Sequence, residues 1–82
     1  MYTVLNDQVE VMVSFAHNRV RPMRMRWNER EYDFTQVHLI HTAREGTKRI
    51  FYFSLSDAVN AFKLKLDAEL LEWRLVEVYV DG

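Results

Sequence analysis

From Val9 the chain alternates, with Val9, Val11, Val13 and Phe15 set against Glu10, Met12 and Ser14. A period of two puts successive side chains on opposite faces of an extended backbone, so this run predicts a strand with one face on a core. His17-Asn18 follows as a turn, because Asn tolerates the left-handed backbone of a tight hairpin. The next run, RVRPMRMRW, places Met23, Met25 and Trp27 on one face and Arg24 and Arg26 on the other, whereas before Pro22 the same parity is held by Arg19 and Arg21. Keeping one face buried requires a slip of one residue at the proline, whose missing amide proton suits a bulge or an edge.

Asn28-Glu29 is a second turn, and REYDFTQVHLIH after it changes parity, from Tyr32 and Phe34 to Val37 and Leu39. The slip near Thr35 or Gln36 predicts a bulge or two abutting strands. AREGT, with Gly46, reads as a loop, and KRIFYFSL, rich in aromatic and β-branched residues, as a strand. Residues 56–75 fit two templates. As a helix, Val59, Phe62, Leu66, Leu70 and Trp73 share a stripe and Ser54 with Asp57 forms a capping box, but Leu64 and Leu71 fall on the polar face. As strands, FKLKL and LEWRL alternate about a turn at Asp67-Ala68-Glu69, which is the reading favoured here. VEVYV continues the last strand after another slip between Leu75 and Val76. The expected fold is therefore all-β: an antiparallel meander of five to six short strands forming a small barrel or rolled sheet, one domain over residues 1–82.

Composition narrows this picture. Eighty-two residues, 49% hydrophobic, leave room for one small core and no second domain. Without cysteine there is no disulfide framework, thiol nucleophile or thiolate metal site. The start, MYTVLNDQVEV, lacks the basic flank and apolar stretch of a signal peptide, and no run of 18 apolar residues exists, so a cytoplasmic protein without a membrane partner is expected. The 11 aromatics, 2 Trp, 4 Tyr and 5 Phe, exceed what so small an interior holds. Trp27, Trp73, Tyr79, Phe51, Phe53 and Phe62 lead the expected core, and any surplus, with Tyr2, Tyr52 and Tyr79 the candidates, marks an interaction surface.

The net charge of −1 conceals separation along the chain. Residues 19–30 carry five arginines and one glutamate, and the stretch from Asp57 onward is acidic. Arginine's fixed fork of donors suits phosphate, so Arg19, Arg21, Arg24, Arg26 and Arg30, with Trp27 as a stacking face, are the candidate residues for weak binding of single-stranded nucleic acid. Against this stand a pI near 6.3 and the ordinary use of charge to protect a strand edge, with cross-strand acids as partners. Basic and acidic strands also suit self-association, including a homodimer. His38 and His41, three apart, point to opposite faces of a regular strand, so no metal site is expected. Ser54, Ser56 and Asp57 lie close but have no G-x-S-x-G elbow, and with Asp7, Asp67 and Asp81 they read as turn or terminal residues. No catalytic residue and no cofactor is expected. A non-enzymatic binding module, for protein or for its own copy, is the leading expectation and nucleic acid the alternative.

Three pieces, the strand with Val9 and Val11, RPMRMRWNEREY, and FKLKL through WRLVEVYVD, resemble a family of small uncharacterised bacterial all-β domains. Its pattern, R-P-x-R-x-x-W-x-x-R-x-Y, then F-x-L and W-x-L-x-x-V-Y, is met by Arg21, Pro22, Arg24, Trp27, Arg30, Tyr32, Phe62, Leu64, Trp73, Leu75, Val78 and Tyr79. Members carry a longer, tryptophan-rich middle where this chain has HTAREGTKR. The resemblance implies an all-β fold and, since some members are appended to Y-family translesion DNA polymerase-like proteins, a DNA-repair association. It lends no catalytic residue.

Overall fold

The computed structural model describes residues 1–80 and is all β; Asp81 and Gly82 lie outside the described residues. Seven strands, β1 (Tyr2–Ala16), β2 (Arg19–Trp27), β3 (Arg30–Asp33), β4 (Gln36–Glu45), β5 (Lys48–Ser56), β6 (Asn60–Asp67) and β7 (Glu72–Val80), form one sheet in the order β3-β2-β1-β7-β6-β5-β4. The expected count of five to six was low because the parity slip at Thr35 is a break between two abutting strands. The sheet is rolled but not closed into a barrel, since β3 and β4 are both edges. The helix over residues 56–75 does not form. Leu64 there is fully buried, while Leu71, placed on a strand in the sequence reading, sits in the β6–β7 turn at φ +55° and is 76% exposed.

Turn chemistry sets the hairpins. His17-Asn18 and Asn28-Glu29 all have positive φ, the two-residue geometry whose twist matches that of the flanking strands. Gly46 takes the same conformation at the β4–β5 turn. Asp57 folds the β5–β6 turn by accepting from the Val59 and Asn60 amides at 2.9 and 2.7 Å, and Asp67 repeats the device with Glu69 and Leu70 at 3.0 and 3.1 Å. Asp7 is no turn residue: it lies within β1 and accepts the Trp27 indole N–H at 2.9 Å. Because a side chain in the left-handed region costs roughly 1–2 kcal/mol, Glu29→Gly at φ +64° should raise stability by under about 1 kcal/mol, seen as a higher urea midpoint.

Bulges keep the apolar face inward. Opposite Met12 and Val13 of β1 stand Arg24 and Pro22, which leaves Met23 as the extra residue beside the proline. Opposite Lys63 and Leu64 stand Glu77 and Leu75, which makes Val76 the extra residue in β7. Both were marked by parity. The core so formed holds Val9, Met25, Phe34, Phe53, Leu55, Phe62, Leu64, Leu66, Leu75 and Val78. Trp27, Phe51 and Trp73 pack against it half-buried, whereas Tyr79, expected inside, is exposed. The roll is visible in Phe62 of β6, whose ring meets Tyr32 and Phe34 edge-on at 5.5 and 5.6 Å although β3 stands four places away in the sheet order.

One strand serves both halves of the sheet. β1 pairs with β7 through Tyr2–Val9 and with β2 through Glu10–Ala16. Since every adjacent pair is antiparallel, β3 and β4 run in the same sense, so the chain passes from one to the other without reversing. At this corner the Phe34 amide donates to Met23 O and the Thr35 amide to Ser56 O, both at 2.9 Å. β3 pairs with only Arg24–Trp27 of β2, and β4 pairs only with β5. The first half of β2 and the whole of β4 thus leave a seam open.

Candidate functional site

The seam is a cleft of about 780 Å³ lined by Arg19, Val20 and Arg21 of β2 and by Gln36, Val37, His38, Leu39 and Ile40 of β4. Its walls are strand edges, whose unpaired N–H and C=O groups are ready templates for another chain. Ile40 stands opposite the buried Phe53 and Val20 opposite Phe15, so these side chains belong to the inner face of the sheet. Yet Phe15, next to the β1–β2 turn, is 75% exposed, and Ile40 is 47% exposed because β4 is the last strand of the sheet and has no neighbour on its far side. Leu39, 60% exposed, adds apolar surface on the opposite face. Opposite Val37 and Leu39 stand Leu55 and Ser54, which makes His38 an extra, bulged residue. The bulge shields the start of the edge from indiscriminate pairing and leaves Leu39–Glu45 regular.

The arginines divide. Arg24 is neutralised, its Nε 2.6 Å from Asp33 Oδ1 and its Nη1 3.5 Å from Glu31 Oε2. Arg26 stands between Glu10 on β1 and Glu31 on β3. Arg30 closes β3 opposite Trp27, and Trp27 itself packs on the core with its N–H held by Asp7. Of the six residues named for nucleic acid, Arg24 is ion-paired, Arg26 lies between two acids, and Arg30 and Trp27 stand away from the seam. Arg19 and Arg21 remain at the cleft and have no acidic partner among the described residues. Arg44 and Arg49 also lack one, and they stand directly opposite each other in the β4–β5 ladder. Parity places that pair on the inner face, beyond Thr42 and Phe51.

The tyrosines expected at the surface lie on the outer face. Tyr2 stands opposite Tyr79, and both are exposed. Tyr52 is half-buried, donates to Glu45 Oε2 at 3.1 Å, stacks on His41 at 5.5 Å and lies under Lys63 at 5.2 Å. Ion pairs cross this face, Lys63 to Glu77 at 3.4 Å, Lys65 to Glu45 at 3.0 Å and Arg74 to Glu72 at 2.7 Å, so its charges satisfy one another. β7, the acidic strand considered for self-association, is flanked by β6 and β1 and offers no free edge there. His38 Nε2 lies 2.7 Å from Ser56 Oγ, and no group of three or more His, Asp and Glu side chains among the described residues is placed to hold a metal.

Acid–base behaviour belongs to this outer face. Donation from the Tyr2 hydroxyl at 2.7 Å holds the Glu77 carboxyl below its ordinary value, and the same bond raises the Tyr2 phenol. Lys65, then Tyr52, lower Glu45, and the Leu70 amide leads in lowering Asp67. The carboxylates' contribution to stability is complete above their unfolded values, near 4, and is lost as pH falls through the lower folded values; the Tyr2 contribution is complete below about 10 and is lost on alkalinisation. The urea midpoint should therefore fall at both extremes. Glu77→Gln should reduce the shift of Tyr2 and blunt the acid-side fall, which midpoints measured between about pH 3 and 11 would check.

Sequence reading singled out Arg19 and Arg21 but missed Phe15, Leu39, Ile40, Arg44 and Arg49. The available signal was two adjacent apolar residues, Leu39-Ile40, which no single buried face accommodates. No protein-family model, curated protein or solved structure matches this chain.

Proposed function

We propose that the domain is a non-enzymatic protein-interaction module that binds polypeptide in extended form along the seam between β2 and β4. The observation that carries this reading is the coincidence, at one place, of two unpaired strand edges with exposed aliphatic side chains. Backbone pairing supplies affinity in strand addition, while pockets for alternate side chains supply selectivity. β4 presents ten residues from Gln36 to Glu45, about 33 Å of edge at the usual rise per residue.

The test is a displayed library of extended peptides together with light scattering of the domain alone at low and high salt. Bound peptides, or a second copy, should shift and protect backbone amides of residues 19–23 and 36–45, and Ile40→Lys should weaken binding by at least tenfold with little change in the urea midpoint. A domain that stays monomeric at every concentration, with no peptide perturbing those amides, overturns the proposal. The nucleic-acid reading, with its implied DNA-repair association, retains one favourable feature, exposed Phe15 beside Arg19 and Arg21. Its mark would be affinity for single strands falling steeply with salt.

A further inference from the structure

We infer that the occupant of the seam is an acidic strand, an extended segment in which aliphatic residues alternate with Asp or Glu, rather than a second copy of this chain. The inference rests on the strand-addition reading above and adds the chemistry of the partner. Arg19 and Arg21 stand at one wall of the cleft, on the outer face of β2, and neither has an acidic partner among the described residues. The inner face of the cleft is apolar, with Val20, Val37 and Ile40. A strand laid on β4 places alternate side chains on that inner face, and those of its outer face beside the arginine forks of β2.

A second copy fits this site less well. It would bring the same arginines to the seam, and six of the chain's acids are engaged elsewhere: Glu45 with Lys65, Glu72 with Arg74, Glu77 with Lys63, Asp67 with Lys48, and Glu31 and Asp33 with Arg24. Of its strands with net negative charge, β1 and β7 are paired on both sides, and β3, at an edge, holds Glu31 and Asp33 on Arg24.

The experiment compares four probes on the intact domain: a capped peptide of alternating Val and Glu, the same peptide with Lys for Glu, the acidic peptide N-methylated at alternate residues, and an oligothymidylate. Amide shifts and exchange rates at residues 36–45 report where each binds. The acidic peptide should bind at least tenfold more tightly than the basic one and weaken with salt, and N-methylation, which removes its ladder donors, should abolish binding. Arg21→Glu separates function from folding: this exposed side chain holds no ion pair among the described residues, so the urea midpoint should change little while the acidic peptide weakens at least fivefold. Loss of both together would mean that Arg21 serves the fold alone, and would overturn the assignment of its charge to the partner. Equal binding of the acidic and basic peptides overturns the acidic partner and leaves strand addition standing. Concentration-dependent dimerisation that protects β4 overturns it in favour of a second copy. Oligothymidylate binding at these residues, with neither peptide bound, or no probe reaching the β4 amides at all, defeats the inference and the strand-addition reading together.

Discussion

Phe62→Ala should leave the domain at the edge of unfolding. The ring is 4% exposed and is the one side chain of β6 that meets both Tyr32 and Phe34, from the far end of the sheet order. Truncating a buried Phe costs about 3–5 kcal/mol, and two edge-on aromatic pairs place this site in the upper part of that range. A domain of 82 residues has about 4–12 kcal/mol to lose. The expected result in urea is a curve with little or no folded baseline. Phe62→Leu keeps aliphatic packing against Leu55, its neighbour across the ladder, and should cost about 1–2 kcal/mol. In that milder variant amides of residues 30–34 should lose exchange protection before those of β5 and β6, because the rolled edge is released while the central ladder stays paired. A Phe62→Ala midpoint close to that of the parent would show that the roll is held elsewhere.

Much of this architecture is legible in residue order, for a reason that also explains what is not. Where a strand has one buried face, apolar parity has a physical cause, and each slip in parity forces an extra residue: Met23 beside Pro22, Val76 after Leu75, and the break at Phe34–Thr35 are all of this kind. The turns at 17–18 and 28–29 are legible because Asn supplies the left-handed backbone at little cost. The first half of β1 has no such signal. Tyr2, Val4 and Asp7 are all exposed and only Leu5 touches the core, so nothing alternates. The bulge at His38 is silent for the same reason, since β4 lies at an edge with little of either face buried.

The site was legible in part. Arg19 and Arg21 stood out by charge, but the decision between open and neutralised arginines depends on which strand lies beside which, and that is tertiary. β3 delivers Glu31 and Asp33 to Arg24 and then ends, leaving Arg19 and Arg21 without a neighbour. Phe15 illustrates the complementary error: its parity assigns it correctly to the inner face, but parity carries no information about where the core stops.

Thr35→Pro should cost about 2–4 kcal/mol and open the seam. Thr35 joins β3 to β4, and both its amide, at 2.9 Å, and its hydroxyl, at 3.2 Å, donate to Ser56 O. Proline removes both donors at once and leaves that carbonyl to find water, a larger loss than an ordinary hydrogen bond. Phe34, whose amide reaches Met23 O and whose ring meets Phe62, would then tie the corner to β2 and β6 alone. Thr35→Val keeps the amide and the β-branched shape, so it should cost under about 1 kcal/mol and separates the backbone bond from the hydroxyl. Exchange at residues 36–40 should rise in the proline variant and stay unchanged in the valine variant, and extended peptides should bind the former more weakly because the two walls of the cleft no longer hold a fixed spacing. Equal midpoints for the two variants would place the restraint on the corner in Phe34 alone. A proline variant destabilised as expected but with unaltered peptide affinity would show that β4 receives its partner without help from β2.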